Sequence, residues 1–381
     1  MKNILNIKYD SERIFGLDIL RALAILFVII EHGTFLLPHT PRIISRYFVF
    51  DGVSIFFVLS GFLIGGILIK SLEKNKLSLK LLMQFWTRRW FRTLPNYFLI
   101  LLLLGILNYF FTVDFNFKSI FPYFIFSQNI IQSHPLFFPE AWSLSIEEWF
   151  YLLVPIMLFT SIWAFKLKPK NAILLIAIII ILFVTLFRLN RHIYLEINNF
   201  EDWDAILRKQ VITRLDSLMF GVIAAYIHFY HFKIWINHKV KLLIIGISLI
   251  LLNKFVITDF VEINGLYSNV FSFTFISFST ILLLPFLSVL KSGKGILVKP
   301  ITYISIISYS MYLLNSSVIQ WWIITKLPWN LNNETGDIIC MINYFVFWAL
   351  VIILSILMYK YFEIPMTKLR DNKTIKKWLN I

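Results

Sequence analysis

The chain has 381 residues, of which 59% are hydrophobic and 18% aromatic, and its mean hydropathy is +0.76. Soluble domains are about 45–50% apolar, so this composition excludes an ordinary soluble protein and predicts an integral membrane protein. The net charge of +15 does not indicate nucleic-acid binding, because the basic residues lie in short loops beside apolar runs. The single cysteine, Cys340, excludes an intrachain disulfide and a cysteine-based metal site, and we expect no metal.

Long apolar runs predict an all-α, polytopic membrane protein with about ten transmembrane helices. The first run follows basic residues, as a signal peptide would, but it is too long and lacks a small-residue cleavage site. We therefore interpret it as a retained span. A stretch at 120–132 is too short to cross and predicts an interfacial or re-entrant segment. The predicted spans lie near 14–37, 48–69, 92–111, 145–165, 171–189, 211–230, 241–257, 267–290, 301–325 and 338–361.

Basic residues are distributed unequally between the two sets of span ends. One set carries 24 lysines and arginines and the other carries 7. The positive-inside rule therefore predicts that both termini of this multi-pass membrane protein are cytoplasmic. The predicted organisation is a cytoplasmic segment 1–13, a transmembrane domain 14–362 and a basic cytoplasmic tail 363–381.

The first predicted span carries Arg21 and His32, eleven residues apart. This spacing is almost three helical turns, so the two side chains share a face and lie roughly 16 Å apart along the axis. A structural interpretation pairs Asp18 with Arg21 and lets His32 donate to a carbonyl. The functional interpretation makes His32 a general base, because a neutral imidazole can take a proton from an alcohol. Ionisable groups are costly at membrane depth and usually mark a site or pathway, which favours the functional interpretation.

Acidic residues lie at the predicted outer ends of two spans. Asp51 follows His32 across a short hairpin and could approach its imidazole. Glu147 and Glu148 begin a strongly apolar span at the depth where His32 ends. Acids near a helix N-terminus are favoured electrostatically, which is the structural alternative. We expect Glu147 or Asp51 to orient the histidine.

Two further clusters contain arginine. Arg88, Arg89 and Arg92 stand at the predicted cytoplasmic mouth of the third span, where guanidinium groups can bind phosphates bidentately. The alternative is that these arginines only anchor the cytoplasmic end of the span at the membrane surface. Arg214 and Asp216 begin another span, either as an ion pair or as a site for acceptor hydroxyls.

These motifs together resemble the acyltransferase-3 family of membrane acyltransferases over nearly the whole chain. The resemblance rests on five motifs in family order: Gly16-Leu17-Asp18 before the Arg21-x10-His32 pair, Gly52-Val53-x-x-Phe56-Phe57-Val58-Leu59-Ser60-Gly61, Arg88-Arg89-x-x-Arg92, Trp142-Ser143-Leu144-x-x-Glu147, and Arg214-x-Asp216-Ser217-Leu218.

The resemblance implies a ten-span bacterial inner-membrane O-acyltransferase. Such an enzyme moves an acyl group, commonly acetyl, from acetyl-CoA or another acyl-CoA to a hydroxyl of a cell-surface or exported glycan. It also implies an essential histidine. The expected catalytic residues are His32, Glu147, Asp51 and Arg21, the donor-binding residues are Arg88, Arg89 and Arg92, and the acceptor-binding residues are Trp142, Ser143, Arg214 and Asp216. Direct transfer and an acyl-enzyme relay both fit.

The sequence departs from the family pattern at two positions. Ser54 stands where many relatives carry an acid, and Asn315 stands where relatives often carry a histidine. An asparagine can hydrogen-bond but cannot act as acid or base. Many relatives add a soluble esterase-like domain, whereas only about twenty residues follow Tyr361, so we expect the membrane domain alone. A transporter or flippase for an anionic or lipid-linked substrate is the alternative function, although no internal repeat supports it.

Overall fold

A computed structural model describes residues 13–113, 115–327 and 336–370, apart from the side chain of Arg46. Every element in these ranges is helical, which confirms the predicted all-α class. The basic residues Lys2 and Lys8, the segment from Lys373 to Lys377 and most of the predicted terminal segments lie outside the described residues.

Ten apolar helical segments follow one another along the described part of the chain. They are α1 (Phe15–Gly33), α2 (Gly52–Lys74), α3 (Leu79–Phe111), α4 (Ala141–Phe165), α5 (Pro169–Tyr194), α6 (Leu215–Tyr230), α7 (Lys239–Leu252), α8 (Ser272–Ile281), α9 (Val298–Leu314) and α10 (Asp337–Met358). Wider π-helical turns extend four of them: Asn253–Ile257 after α7, Tyr267–Phe271 before α8, Asn315–Ile323 after α9 and Tyr359–Glu363 after α10.

Eight of these segments, with their extensions, are long and apolar enough to cross a membrane, as judged over the described ranges. The other two are α6, which has 16 residues, and α9, whose 17 residues continue into a π-helical segment. A multi-pass membrane protein is thus confirmed. The predicted interfacial stretch at 120–132 contains only short turns of helix, Phe117–Ile120 and Phe121–Phe124.

One predicted boundary is wrong, because α3 begins at Leu79 rather than near residue 92. Ser78 caps this helix by accepting a hydrogen bond from Leu81 N at 3.3 Å. The basic residues between 80 and 92 had been assigned to a loop. They belong instead to the first turns of a helix of 33 residues, which carries Arg89 and Arg92 into the bundle.

The core of the bundle is built around α2, which packs most extensively against α6. Glycines allow the two backbones to touch, because a Cβ atom on Gly61 would lie 1.9 Å from Leu218 O and one on Gly221 would lie 2.1 Å from Val58 O. Small residues at such crossings are the usual means by which membrane helices approach closely. The packing fixes the start of α2, where several candidate residues lie.

Successive spans of a multi-pass protein cross the membrane in alternating directions, so the bundle has two distinct ends. The basic end is where α1, α3, α5, α7 and α9 begin, and it carries lysines such as Lys74, Lys80, Lys166, Lys241 and Lys291. The far end is where α2, α4, α6, α8 and α10 begin. Arg21 lies in the half of α1 nearer the basic end, and His32 lies in its last turn at the far end.

Candidate active site

His32 is held by an asparagine, the first residue of the π-helical segment after α9, rather than by a carboxylate. The His32 Nδ1 and Asn315 Oδ1 atoms are 2.5 Å apart. The Asn315 amide nitrogen donates to Met311 O at 3.1 Å and Tyr312 O at 2.7 Å, so its Oδ1 must be the atom that meets the imidazole. An amide oxygen only accepts, and Nδ1 therefore carries the proton. This tautomer leaves the lone pair of Nε2 available as a base.

The two carboxylates expected to orient His32 have other partners. Asp51 caps α2, because it accepts hydrogen bonds from Ser54 N at 3.0 Å and from Ser54 Oγ at 2.6 Å. Glu147 accepts from the Tyr151 hydroxyl at 2.7 Å. The prediction that Asp51 or Glu147 orients His32 is therefore wrong. Asp51 serves as the N-cap of α2, and the Tyr151 hydroxyl is the hydrogen-bond donor to Glu147.

A central cavity of about 130 Å³ lies between α1, α2, α3, α4 and α9. Arg21, Arg89 and Arg92 line it, so three guanidinium groups from two helices face one space. Arg88 is exposed and does not line this cavity, because it lies on another face of α3. The predicted arginine cluster is thus divided, and Arg21 replaces Arg88 in it.

Arg21 faces this cavity because a different arginine neutralises Asp18. The Asp18 carboxylate accepts from Arg13 Nε at 3.0 Å, from Arg13 Nη2 and from Ser305 Oγ at 2.7 Å. Arg21 Nη1 is 4.0 Å from the same acid, at the limit of an ion pair. The structural interpretation in which Asp18 and Arg21 satisfy each other is therefore wrong, and Arg21 is available to a ligand.

Hydroxyl groups line the wall of the central cavity opposite the arginines. The Tyr151 hydroxyl that donates to Glu147 also lies 2.9 Å from Ser60 Oγ. Further along, Ser143 Oγ lies 2.6 Å from the Tyr312 hydroxyl. Tyr312 precedes Asn315 by one helical turn. The polar lining therefore extends from the arginines to α9, the helix that Asn315 follows.

Ser143 is placed as expected on the cavity wall, whereas the other predicted acceptor-binding residues are not. Trp142 is buried and packs edge-on against Phe57 with ring centroids 6.0 Å apart. Arg214 and Asp216 have no exposed surface. A substrate cannot reach them in this structure.

The predicted pair of Arg214 and Asp216 is also not formed. Asp216 accepts from Arg188 Nη2 at 2.6 Å, and Arg214 donates to Ser54 Oγ at 2.6 Å. Both arginines contact the ring of Phe273, with Arg214 4.0 Å from its centroid. Arg188 lies far from the other two in sequence, so local spacing could not identify it. Ser54, where relatives carry an acid, joins Asp51 to Arg214 through its hydroxyl.

Glu140 is a site residue that the sequence reasoning missed. Its Oε1 accepts from the backbone N–H groups of Ser316 and Ser317 at 2.9 and 2.8 Å, directly after Asn315. Burial raises the pKa of Glu140 to about 7, against the effect of these hydrogen bonds. The acid thus fixes the beginning of the π-helical segment that carries Asn315. An acid directly before the apolar run of α4 was the available signal.

A second and larger cavity, the far cavity, opens at the far end and has a volume of about 620 Å³. Its lining includes Glu31, Asp51 and Arg208. Burial lowers the pKa of Arg208, but the charges of Glu31, Asp51 and Asp204 and a hydrogen bond to Asp204 outweigh burial. The pKa therefore lies above the ordinary value, and the guanidinium is charged. Glu31 adjoins His32 in sequence, so this cavity lies beside the last turn of α1.

The chain is similar to known membrane acyltransferases. Residues 14–359 match the acyltransferase domain family Acyl_transf_3. Peptidoglycan O-acetyltransferase OatA of Listeria monocytogenes is 34% identical over 189 residues, covering 45% of this chain and 28% of the relative. O-acetyltransferase OatA of Staphylococcus aureus is 30% identical over 341 residues, covering 82% and 51%. A putative O-acetyltransferase of Staphylococcus aureus, SACOL0978, is 28% identical over 400 residues, covering 95% and 58%.

The chain spans about half the length of the Staphylococcus aureus relatives it matches. No solved structure matches it significantly. The family match covers nearly every described helix, including α1 with His32 and the π-helical segment after α9 with Asn315. The family predicted from the five motifs is confirmed, and the chain belongs to the Acyl_transf_3 acyltransferase domain family.

Proposed function

We propose that the protein is a membrane O-acyltransferase that moves an acyl group, most simply acetyl, from acyl-CoA to a hydroxyl of a cell-surface or exported glycan. The single observation that carries the proposal is the pairing of His32 with Asn315, which holds Nδ1 protonated and leaves Nε2 as a base. His32 shares one helix with Arg21, which lines a cavity suited to an anionic donor.

The donor site is the part of the central cavity near Arg21, Arg89 and Arg92. Guanidinium groups bind phosphate oxygens through paired hydrogen bonds, so three of them fit the phosphates of a CoA thioester. The excess of lysine and arginine at the basic end supports a cytoplasmic location for that end and for both termini, in the bacterial inner membrane. Cytoplasmic acyl-CoA would then enter from the side on which it is made.

His32 acts on the acceptor in this proposal. In a direct transfer, the acceptor hydroxyl gives its proton to Nε2, and its oxygen bonds to the thioester carbonyl carbon. The C–S bond then breaks, and the imidazolium returns the proton to the departing thiolate. Because Arg21 lies roughly 16 Å from His32 along α1, we propose that it binds the donor rather than the reacting carbonyl. An acyl-enzyme relay through a wall hydroxyl would use the same base.

The acceptor is the least constrained part of the proposal. One relative is named a peptidoglycan O-acetyltransferase, which makes peptidoglycan the first acceptor to examine. The position of His32 at the far end, opposite the excess of basic residues, supports an acceptor outside the cytoplasm. Lipopolysaccharide, capsule and exopolysaccharide present similar hydroxyls.

The test is mass spectrometry of surface glycans from cells that carry wild-type protein, His32→Ala or no copy of the gene. We expect an ester-linked acyl group only with wild-type protein. His39→Ala is the matched control, because His39 is an exposed histidine at the same end of the bundle. Each variant is quantified in the membrane fraction.

An acyl product retained by His32→Ala at equal protein level would contradict the role of His32 as base. Identical glycans in cells with and without the gene would contradict a glycan acceptor. Lipid-linked sugar accumulating inside the cell without loss of acyl ester would instead favour the flippase alternative.

A further inference from the structure

The far cavity is independent of the arginine-lined donor region. It is formed by the last turn of α1, the start of α2, the segment 200–208 and the facing surfaces of α7 and α8. Glu31 at the end of α1 and Thr34, the residue after this helix, lie on either side of His32 in sequence, and both line the cavity. Ligand cavities usually have about 300–1,000 Å³, and this cavity, with about 620 Å³ and open at one end, lies within that range.

An aromatic surface forms one side of this cavity. Trp203 lines it, and its indole N–H donates to Ser268 O at 3.0 Å. The ring stacks on Phe273 with centroids 5.0 Å apart and planes at 19°. Phe200 also stacks on Trp203, with ring centroids 5.7 Å apart, and both rings line the cavity. Fixed aromatic rings offer a rigid apolar surface at little entropic cost, which suits the flat C–H face of a sugar.

The charged groups around the cavity balance one another. The lining contains two acids, Glu31 and Asp51, and two bases, Arg208 and Lys254. Arg208 also forms an ion pair with Asp204 at 3.1 Å. The Asn253 amide also lines it, with its Oδ1 held by the Tyr267 hydroxyl. A balanced set of donors and acceptors disfavours a polyanion and matches the hydroxyls of an uncharged ligand.

Contacts connect the far cavity to the central cavity. The Arg208 guanidinium, which lines the far cavity, lies 5.4 Å from the centroid of the Trp142 ring. Trp142 packs on Phe57, and Phe57 lines the central cavity. Residues from the first turn of α2 face both spaces. The side chains of Arg208, Trp142 and Phe57 therefore connect the linings of the two cavities.

We propose that the far cavity is the acceptor-binding site and that it binds an uncharged segment of a sugar chain against Trp203, with hydroxyls contacting Arg208 and Asn253. This inference rests on the proposed function, since it names where the acceptor binds. It replaces Trp142, Arg214 and Asp216, which burial removes from that role.

The test uses the purified full-length protein in detergent, with the pentamers of N-acetylglucosamine and glucose as probes. Binding is measured by titration calorimetry, and KM values for the sugar and for acetyl-CoA by release of CoA. For Trp203→Leu we expect the sugar Kd and KM to rise about tenfold, because a stacking surface is lost. The KM for acetyl-CoA should stay within twofold. Trp203→Phe should restore most of the sugar affinity.

Two further variants keep the test decisive. Lys254→Gln removes one charge of the balanced set without touching the Trp203 stack, and it should also weaken sugar binding. Trp163→Leu is the matched control, because Trp163 is 78% exposed near the basic end of α4 and should change neither value.

Failure of both pentamers to bind wild-type protein would overturn the inference. Unchanged sugar binding in Trp203→Leu and Lys254→Gln would overturn it as well, as would an equal rise in the KM for acetyl-CoA. Sugar binding that depends on Trp203 without any acyl transfer would support this site while the proposed transferase function fails.

Discussion

Replacement of Asn315 by leucine tests the geometry of the proposed base most directly. Leucine has a similar volume but no oxygen, so the Nδ1–H of His32 loses the acceptor that now lies 2.5 Å away. Two carbonyls, Met311 O and Tyr312 O, also lose their amide donor. The imidazole then has no group that selects its tautomer or fixes its plane.

The magnitude follows from the cost of an unsatisfied buried donor, which is about 1–3 kcal/mol. Since about 1.4 kcal/mol corresponds to a factor of ten in rate, kcat should fall roughly 10- to 100-fold. Asn315→Asp keeps an oxygen at the same position and should retain more activity than the leucine variant. Neither variant touches Arg21, Arg89 or Arg92, so the KM for acetyl-CoA should not change.

The assay is steady-state acyl transfer by purified protein in detergent, with thermal unfolding measured on the same samples. Asn108→Leu is the matched control, because the Asn108 amide also bonds to a carbonyl one turn earlier, Leu104 O, at 2.8 Å on α3. A kcat for Asn315→Leu within twofold of wild type would refute the orienting role. An equal loss in Asn108→Leu would show that the effect is general destabilisation.

Two other predictions test the donor site and the helix packing. Arg89→Gln should raise the KM for acetyl-CoA at least tenfold, because a charge-assisted hydrogen bond is worth about 1.5–3 kcal/mol. Arg88→Gln should leave this KM within twofold of wild type. Equal effects of the two substitutions would contradict the assignment of Arg89 to the cavity. Gly61→Ala should destabilise the protein by roughly 1–3 kcal/mol and lower its unfolding temperature, because the new Cβ would lie 1.9 Å from Leu218 O. Gly66→Ala should not lower the unfolding temperature, because a Cβ there would have nothing within 4 Å. Equal stabilities of the two variants would refute the backbone contact.

Some features of the fold and site could be predicted because they depend on neighbouring residues. Apolar runs of span length indicate membrane helices wherever they occur, and ten helical segments lie near the predicted positions. The eleven-residue spacing of Arg21 and His32 sets their separation once α1 is a helix. The predicted start of α3 is too late, because the helix begins among basic residues at Leu79, before its apolar part.

The partners of polar groups were predicted less well. Asp18 pairs with Arg13 rather than Arg21, and Asp216 pairs with Arg188 rather than Arg214. Sequence proximity suggested the wrong arginine in both cases. Residues two apart on a helix do not face each other, so Arg188 from α5 reaches Asp216 where Arg214 does not. Asp18 and Arg21 are three apart and share a face, but Arg13, which precedes α1, contacts the acid more closely.

The sequence by itself determined that this chain is an all-helical membrane protein of the acyltransferase family, because hydropathy, helical periodicity and short motifs are local properties. Only the tertiary structure decided that Asn315 holds His32, that the arginines are divided between a cavity and the surface, and that a second cavity opens at the far end. The physical reason is that a buried polar group bonds to whichever group packing brings within reach, and His32 and Asn315 meet across 283 residues of chain.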